Sequence, residues 1–379
     1  MDATDVWIGS LKRNGVHEMK IAVISARFAI SGVPLAQLRL AKALVGKGHS
    51  VDLIYGFLIP GNTFPKAAGI SIIEFGKPRV IKMLPLLIQY LKAEKPEIIF
   101  SAGDHLNVIV LIAAILSRST AKISCSSRVT PFDTYSSVPF TKRWLLKQIM
   151  LATEWRADVL TCVSKDMVKQ YQQLFPFSRH TCVYNIVERD TFEPCLAAFI
   201  DEPWLTSKSG PMLVAAGSLV PWKGFVDLIN AMSFVVKKSD AKLIILGDGP
   251  MRNELEDLIL ALGLGGAIKL LGSVEDPLIY FSRCEVFVLS SYVEGLPNVL
   301  VEAMMCGCTP VSTNCPTGPS EVLGRGEFGY LVPVGVPSAL ADGILAAIDR
   351  PIPRQSLSEA IQPFTTEAVL SAHFGSLGI

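Results

Sequence analysis

The sequence predicts an α/β protein with two parallel sheets, each covered by helices on both faces. Short apolar runs of strand length alternate with longer helical stretches along almost the whole chain. The alternation breaks once, at Glu188–Gly210, where Pro194, Pro203 and Gly210 interrupt any periodicity, and then begins again. A chain of 379 residues is long enough for two domains, each with its own core.

The first half begins with a buried strand at Lys20–Ser25 (KIAVIS), a glycine turn and a helix from about Leu35 to Lys47, which Gly48 ends. Further strands are predicted at Ser50–Tyr55, Ile70–Glu74, Glu97–Ser101, Lys122–Cys125, Val159–Val163 and His180–Val183. Further helices are predicted at Val80–Glu94, Leu106–Ser117, Thr141–Arg156 and Lys165–Leu174.

The second half repeats this alternation. Its strands are predicted at Met212–Ala216, Lys242–Leu246, Ile268–Leu271, Val286–Leu289 and Thr309–Ser312. Its helices are predicted at Gly224–Lys237, Met251–Leu262, Asp276–Ser282 and Pro297–Met305. Open parallel sheets bind ligands at the carboxyl ends of their strands, so two such sheets predict sites that face a cleft.

Composition excludes several classes of protein. Half of the residues are apolar and 18% are charged, so a core can form and general disorder is excluded. The longest apolar run, Val108–Leu116, is about half the length of a spanning helix, and no signal peptide is recognisable. We therefore expect a protein on the cytosolic side. Eight cysteines are present, but the closest pair, Cys306 and Cys308, has no second pair at zinc spacing, which predicts reduced thiols.

The net charge of +1 conceals an asymmetry between the halves. Residues 1–190 hold 24 basic and 14 acidic side chains, whereas residues 191–379 hold 11 and 20. A basic first half suits an anionic membrane surface or a phosphate-bearing acceptor. Alternatively, the opposite charges of the two halves belong to ordinary solvated surfaces that merely attract each other. No nucleic-acid partner is predicted.

The strongest local signal is Ser290–Glu302 (SSYVEGLPNVLVE). An apolar strand ends there, a loop carries Glu294, and a helix is predicted to start near Pro297 with Glu302 inside it. Both carboxylates can then face one cleft, and each suits a sugar diol. The free amides at the helix start form an anion site that suits a diphosphate.

This motif resembles the E-x7-E signature of retaining glycosyltransferases of family 4, whose GT-B fold has two facing Rossmann-like domains. The flanking blocks are similar too, in family order, from about residue 212 to 335, with weaker similarity over 20–190. These blocks are Gly217–Gly224 (GSLVPWKG), Leu246–Pro250 (LGDGP), Leu271–Ser273 (LGS), Ala303–Thr313 and Pro316–Glu321 (PTGPSE).

The resemblance implies roles for the motif residues. Glu302 would bind the ribose of the nucleotide, and Glu294 would contact the donor sugar, with Gly295, Leu296, Pro297 and Asn298 nearby. Lys223 would neutralise the donor diphosphate as the nucleotide departs. Relatives usually carry an arginine where this chain has Ser218, so another cation, such as Arg128 from the facing domain, would replace it.

Two residues of the first half complete the predicted site. Gly32, in Ile30–Pro34 (ISGVP), occupies the place of a glycine-rich loop and would let the backbone approach a phosphate, or is a plain turn glycine. The loop lacks the G-x-G-x-x-G fingerprint, which disfavours nicotinamide binding. His105 follows a strand and would bind sugar or orient the acceptor, or is a structural histidine with Asp104 as helix cap. No protein base is assigned, because the leaving phosphate can accept the proton.

The resemblance also implies a division of the chain. Residues 1–18 would be an extension, 19–190 the acceptor-binding domain, 191–210 a linker, 211–340 the nucleotide-sugar-binding domain, and 341–379 helices that cross back to the first domain. No D-x-D motif lies in a suitable loop, so neither a metal nor another cofactor is expected.

Three functions are compatible with these patterns. The first is a glycosyltransferase that moves a hexose or N-acetylhexosamine from a UDP donor to a glycan or lipid-linked acceptor. The second is a catalytically weak homologue that serves as a partner in a glycan-assembly complex, for which Ser218 is the only support. The third is a sugar-nucleotide epimerase or a phosphorylase, although the lysine context for pyridoxal that a phosphorylase needs is missing.

Overall fold

The computed structural model describes residues 17–29, 32–61, 67–187 and 200–379. It contains two parallel sheets flanked by helices, which confirms the predicted α/β class. Almost all of the predicted extension at 1–18 and much of the predicted linker at 191–210 lie outside the described residues.

The first sheet has seven parallel strands in the order β3-β2-β1-β4-β5-β6-β7. The strands are β1 (Lys20–Ser25), β2 (Ser50–Tyr55), β3 (Ile70–Glu74), β4 (Ile98–Ala102), β5 (Lys122–Ser127), β6 (Val159–Cys162) and β7 (His180–Cys182). The central strands β1 and β4 are mostly apolar and are buried along almost their whole length, because helices cover both faces. The strand order reverses between β1 and β4, where a crevice opens at the carboxyl ends.

Helices connect these strands as predicted, with changes at their ends. They are α1 (Gly32–Gly46), α2 (Leu84–Glu94), α3 (Asp104–Ser117), α4 (Pro131–Thr134), α5 (Lys142–Thr153) and α6 (Lys165–Leu174). The prediction of one helix over Val80–Glu94 was wrong in its first turn, since Val80–Met83 is a 3-10 turn. Pro85 has no N–H group and is tolerated only in the first turn of a helix, so α2 begins at Leu84.

The second sheet has six parallel strands in the order β10-β9-β8-β11-β12-β13. They are β8 (Met212–Ala216), β9 (Lys242–Leu246), β10 (Ile268–Gly272), β11 (Val286–Leu289), β12 (Thr309–Thr313) and β13 (Tyr330–Val332). The helices of this half are α7 (Pro203–Thr206), α8 (Phe225–Val235), α9 (Arg252–Ala261), α10 (Leu278–Phe281), α11 (Asn298–Met305), α12 (Pro319–Val322), α13 (Pro337–Asp349), α14 (Arg354–Ile361) and α15 (Thr366–Leu377).

The last helix, α15, packs on the first sheet rather than the second. Val369 and Leu370 are buried with residues of β1 and β2, and the His373 ring contacts the Phe100 ring with centroids 5.0 Å apart. Lys122 Nζ donates to the Leu377 carbonyl over 2.7 Å. The chain therefore crosses between the halves a second time near its end.

Two further features bear on the expectations from composition. Within the ranges described, no helix combines the length and the apolar character that crossing a bilayer requires. Each cysteine that the structure describes has a free thiol, and all except Cys182 are buried. Cys195 lies outside the described residues.

Candidate functional site

A cavity of about 540 Å³ lies between the carboxyl edges of the two sheets. Its walls come from both halves of the chain, because each contributing loop follows a strand of one sheet or the other. The first half contributes Gly32, Val33, Arg128, Val129, Thr130, Asp133, Val163 and Asn185. The second half contributes Trp222, Lys223, Val293, Glu294, Gly295, Leu296 and Asn298.

Lys223 and Glu294 form the charged centre of the cavity wall. Lys223 Nζ lies 2.5 Å from Glu294 Oε1, and the two side chains are 21% and 10% exposed. Ser291 Oγ donates to the same carboxylate oxygen over 2.6 Å. The structure thus brings together the lysine and the first glutamate that the motif predicted, although they are 71 residues apart in the chain.

The local chain path explains this pairing. Lys223 ends a 3-10 turn that follows β8, and Gly224 then adopts φ of 66°, a left-handed conformation that favours glycine. Ser290 Oγ donates to the Lys223 carbonyl over 2.8 Å, and Tyr292 N donates to the Trp222 carbonyl over 2.8 Å. These bonds fix the loop after β8 against the loop after β11.

The start of α11 lines the same cavity as this pair, through Asn298. The helix begins at Asn298 rather than at the predicted Pro297, which is the N-cap residue and provides no side-chain cap. Leu296 and Pro297 are buried, and Gly295 approaches the other half closely. A Cβ atom on Gly295 would lie 2.6 Å from the Arg128 carbonyl oxygen, so only glycine fits this contact between the halves.

Arg128 faces the cavity from the first half. Its guanidinium donates to Gln37 Oε1 over 3.0 Å and to Asn185 Oδ1, and Asn185 Nδ2 donates to Asn298 Oδ1 over 2.9 Å. Burial lowers the pKa of Arg128 to about 10, so it stays charged at neutral pH. A hydrogen-bonded chain thus runs from α1 through Arg128 to the start of α11.

Glu302 has a different environment from the one predicted. Its carboxylate forms an ion pair with Arg39 of α1, and the two side chains are 8% and 13% exposed. It does not line the cavity. The sequence did not predict this cationic neighbour, which is 263 residues away in the chain.

The remaining predicted residues fall into two groups. Gly32 lines the cavity as the first residue of α1, so α1 starts three residues before its predicted start. Ser218 and His105 are exposed and do not line the cavity.

Asp104 does not cap α3, whose N-cap residue is Gly103. Its buried carboxylate accepts instead from Ser127, Tyr135 and Tyr171, and burial raises its pKa.

Several residues of the cleft were not predicted. Thr130 and Asp133 line it because β5 runs on to Ser127, two residues beyond its predicted end, and the chain then turns along the cavity. Glu321 joins the halves elsewhere, since it accepts from the Lys165 backbone N–H over 3.0 and 2.9 Å and from the Tyr184 hydroxyl. The PTGPSE block carried a signal for Glu321, whereas nothing in the sequence distinguished the other two.

Across the part of the chain that the structure describes, no three His, Cys, Asp or Glu side chains stand close enough together to hold a metal ion.

Family models match nearly the whole chain. The model described as glycosyl transferases group 1 matches residues 198–363, and the model described as glycosyltransferase family 4 matches residues 30–191. The chain therefore belongs to the group 1 glycosyltransferases, and with its two facing sheets it is a glycosyltransferase with the GT-B fold.

Individual relatives agree with this assignment. An uncharacterized glycosyltransferase of Methanocaldococcus jannaschii is 33% identical over 363 residues, which cover 86% of this chain and 88% of that protein. The Campylobacter jejuni N-acetylgalactosamine-N,N'-diacetylbacillosaminyl-diphospho-undecaprenol 4-alpha-N-acetylgalactosaminyltransferase is 28% identical over 294 residues, which cover 74% of this chain and 77% of that protein. The match to N-acetyl-alpha-D-glucosaminyl L-malate synthase of Bacillus anthracis spans 58% of each protein.

Solved structures share the fold. Anabaena HepE in complex with UDP and glucose superimposes with a TM-score of 0.72 at 19% identity, over 95% of this chain and all of that one. Sucrose-phosphate synthase from Thermosynechococcus elongatus also gives 0.72 at 19% identity, over 95% of this chain and 98% of that one.

Proposed function

We propose that this glycosyltransferase moves a hexose or N-acetylhexosamine from a UDP donor to a glycan or lipid-linked acceptor in glycan synthesis, with retention at the anomeric carbon. The observation that carries the proposal is the Lys223–Glu294 pair on the cavity wall, with the Arg128 guanidinium on the facing wall. A cation and a carboxylate side by side suit the two parts of such a donor, its diphosphate and its sugar hydroxyls.

The diphosphate would lie near Lys223 and Arg128. Both cations face the cavity from opposite halves, so they can neutralise a departing nucleotide without an arginine at Ser218. The uncapped start of α11 adds backbone N–H groups to the same region. For this reason we propose that no divalent metal takes part, and we expect chelation by EDTA to leave turnover unchanged. Loss of turnover that Mg²⁺ restores would contradict this.

The two glutamates would then have different roles. Glu294 lines the cavity and would accept hydrogen bonds from the donor sugar. Glu302 would bind the ribose only if the Arg39 ion pair opens or is shared, so nucleotide binding would be coupled to the contact between the halves. His105 and Ser218 keep only the roles that the family resemblance implies, since they lie away from the cavity wall.

Relatives support the donor and acceptor classes. The name of the Campylobacter jejuni enzyme describes transfer of N-acetylgalactosamine to a sugar on diphospho-undecaprenol. The Anabaena HepE structures hold UDP, UDP-glucose or UDP with glucose. A catalytically weak partner protein is not favoured, because Lys223 and Glu294 are both in place. The cytosolic location stays a prediction.

A donor panel tests the proposal. UDP-hexoses and UDP-N-acetylhexosamines are incubated with the full chain and a lipid-diphosphate sugar, and UDP release and sugar incorporation are measured. Lys223→Ala and Glu294→Ala should each lower turnover by about one to three orders of magnitude. Lys238→Ala and Glu254→Ala, at exposed positions of the same half, are the matched controls.

The product reports the stereochemistry, because NMR coupling constants distinguish α from β linkages. Release of UDP without an acceptor, or normal turnover by folded Lys223→Ala and Glu294→Ala variants, would contradict the proposal. An inverted linkage would contradict retention alone.

A further inference from the structure

A buried carboxylate, that of Asp104, is the centre of a hydrogen-bonded cluster in the first half. Its oxygen Oδ1 accepts from three hydroxyl groups. These belong to Ser127 at the end of β5, at 2.7 Å, to Tyr171 of α6, at 2.9 Å, and to Tyr135 directly after α4, at 3.2 Å. All four residues are at most 4% exposed, and together they form what we call the Asp104 cluster.

The Asp104 cluster is an expensive way to stabilise a fold. Burial raises the pKa of Asp104, because it penalises the charged form of the carboxyl group. The partners of this group are hydroxyls rather than a cation, and its second oxygen, Oδ2, is buried without a hydrogen-bond partner among the described residues. A buried polar atom of this kind costs free energy, which indicates a role beyond packing.

The cluster holds both ends of one segment of the cavity wall. Residues 128–134, which we call the wall segment, lie between Ser127 and Tyr135, and both of these hydroxyls donate to the same oxygen of Asp104. The Tyr171 hydroxyl also lies 3.3 Å from the carbonyl oxygen of Val129, inside the segment. Four residues of the wall segment line the cavity, namely Arg128, Val129, Thr130 and Asp133.

The wall segment depends on such contacts because its own structure is slight. Its helix α4 has four residues, and a helix of one turn is not stable by itself. From the exposed side, the Arg143 guanidinium donates to the carbonyl oxygens of Phe132 and Tyr135. From the buried side, the Asp104 cluster supplies the anchors. The position of α4 in the cavity wall is therefore set by contacts on two sides.

Two polar side chains of the wall segment are not used by the donor that the proposed function describes. That donor occupies Lys223 and Arg128 with its diphosphate and Glu294 with its sugar. Thr130 and Asp133 line the same cavity and remain available. A carboxylate repels a diphosphate but accepts hydrogen bonds from sugar hydroxyls, and a threonine hydroxyl donates or accepts. These two side chains therefore suit the hydroxyl groups of an acceptor sugar.

We propose that Asp104 is a positioning residue for the acceptor, because its cluster holds the wall segment where Thr130 and Asp133 can bind hydroxyl groups of an acceptor sugar. The acceptor part rests on the proposed function, whereas the positioning of the wall segment does not.

Donor binding should depend little on the cluster. The Arg128 guanidinium is held separately, by hydrogen bonds to Gln37 and Asn185, and Lys223 belongs to the other half of the chain. A loss of the cluster should therefore raise the KM for the acceptor and leave the affinity for UDP unchanged. General destabilisation would not separate these two quantities.

A matched pair of tyrosine variants tests this separation. Tyr171→Phe removes a hydroxyl that donates to Asp104, and Tyr90→Phe removes one that donates over 2.7 Å to Asp52, which is also buried. Neither Tyr90 nor Asp52 lines the cavity. Tyr171→Phe should raise the KM for the lipid-diphosphate sugar about threefold to tenfold, whereas Tyr90→Phe should leave it unchanged. Equal KM values for the two variants, or weaker UDP binding by Tyr171→Phe, would overturn the proposal.

Rescue by the conservative variant provides a second readout. Asp104→Ala leaves three buried hydroxyls without their acceptor and should raise the KM for the lipid-diphosphate sugar about tenfold to hundredfold. Asp104→Asn keeps an acceptor oxygen for all three hydroxyls and should stay within about threefold of the wild type. An Asp104→Asn variant as impaired as Asp104→Ala would contradict the hydrogen-bonding role.

Hydrogen–deuterium exchange of the full chain measures the positioning without any substrate. Amides of the wall segment should exchange about threefold or more faster in Tyr171→Phe than in the wild type or in Tyr90→Phe. Unchanged exchange in this segment would overturn the positioning. Failure of the wild type to bind UDP, or to transfer sugar to the lipid-diphosphate sugar, would instead contradict the proposed function and leave the exchange result intact.

Discussion

Arg39 of α1 and Glu302 of α11 form an ion pair that joins the two halves of the chain across the cleft. Both side chains are largely buried, so each offsets part of the cost of burying the other's charge. The carboxylate that the motif assigns to the ribose is therefore held by the facing half. Under the role that the family resemblance implies for Glu302, donor binding and the contact between the halves would share one residue.

A double-mutant cycle measures this pair. Arg39→Ala and Glu302→Ala should each lower the free energy of unfolding, and the double variant should lose less than the sum, with a coupling of about 1–3 kcal/mol. The more solvent-accessible pair Arg252–Glu256, at 2.9 Å, is the control and should give about 0.3–0.5 kcal/mol. Urea unfolding provides all of these values. Additive effects at Arg39 and Glu302 would show that the pair contributes nothing to stability.

Gly295 is expected to be intolerant of any side chain. A Cβ atom would lie 2.6 Å from the Arg128 carbonyl oxygen, which is backbone and yields only if the halves separate. Gly295→Ala should therefore reduce turnover by about tenfold to hundredfold, because the two cavity walls are displaced. Gly265→Ala, where a Cβ meets nothing within 4 Å, should be neutral. Steady-state kinetics measures the turnover of both variants. Equal turnover of Gly295→Ala and Gly265→Ala would contradict the close contact at Gly295.

Stability should fall on mild acidification because of His373, which is buried, and His180, which is partly buried. Burial lowers the pKa of His373 to about 3 and that of His180 to about 4, from 6.5. As pH falls below about 6.5, both histidines become protonated in the unfolded chain while they stay neutral in the folded protein. Protonation therefore favours unfolding until the pH reaches the pKa values of the folded protein. Each group contributes a slope of about 1.4 kcal/mol per pH unit in that window.

His373→Phe should remove one such slope, since the ring packs on Phe100 without any need for charge. Urea unfolding at several pH values between 7 and 4 measures the slopes. Parallel curves for wild type and His373→Phe would contradict a buried neutral His373.

Most of the fold could be predicted from local patterns. Strands such as Lys20–Ser25 and Lys242–Leu246 have their predicted bounds, because a strand buried on both faces is a continuous apolar run. The strand at Tyr330–Val332 was missed since it has only three residues and therefore shows no periodicity. The helix α2 begins at Leu84 rather than at the predicted Val80. This start was predictable, because Pro85 is tolerated only in the first turn of a helix.

The site was predictable only in part. Lys223 and Glu294 belong to motifs within single loops, so their spacing carries a signal. Asn185, which contacts Asn298 across 113 residues of chain, and Asp133 have no such local pattern. Their place in the cavity follows from how the two sheets face each other, and a single sequence does not specify that arrangement.

Titration of UDP into the full chain tests the central claim most directly, because every UDP-sugar shares this part. Wild-type protein should bind UDP, and Lys223→Ala should bind it about tenfold to hundredfold more weakly, which is the worth of one charge-assisted hydrogen bond. Lys238→Ala should bind UDP with the same affinity as the wild type. Absence of UDP binding, or equal affinity of the wild type and Lys223→Ala, would contradict a donor site built around Lys223 and Glu294.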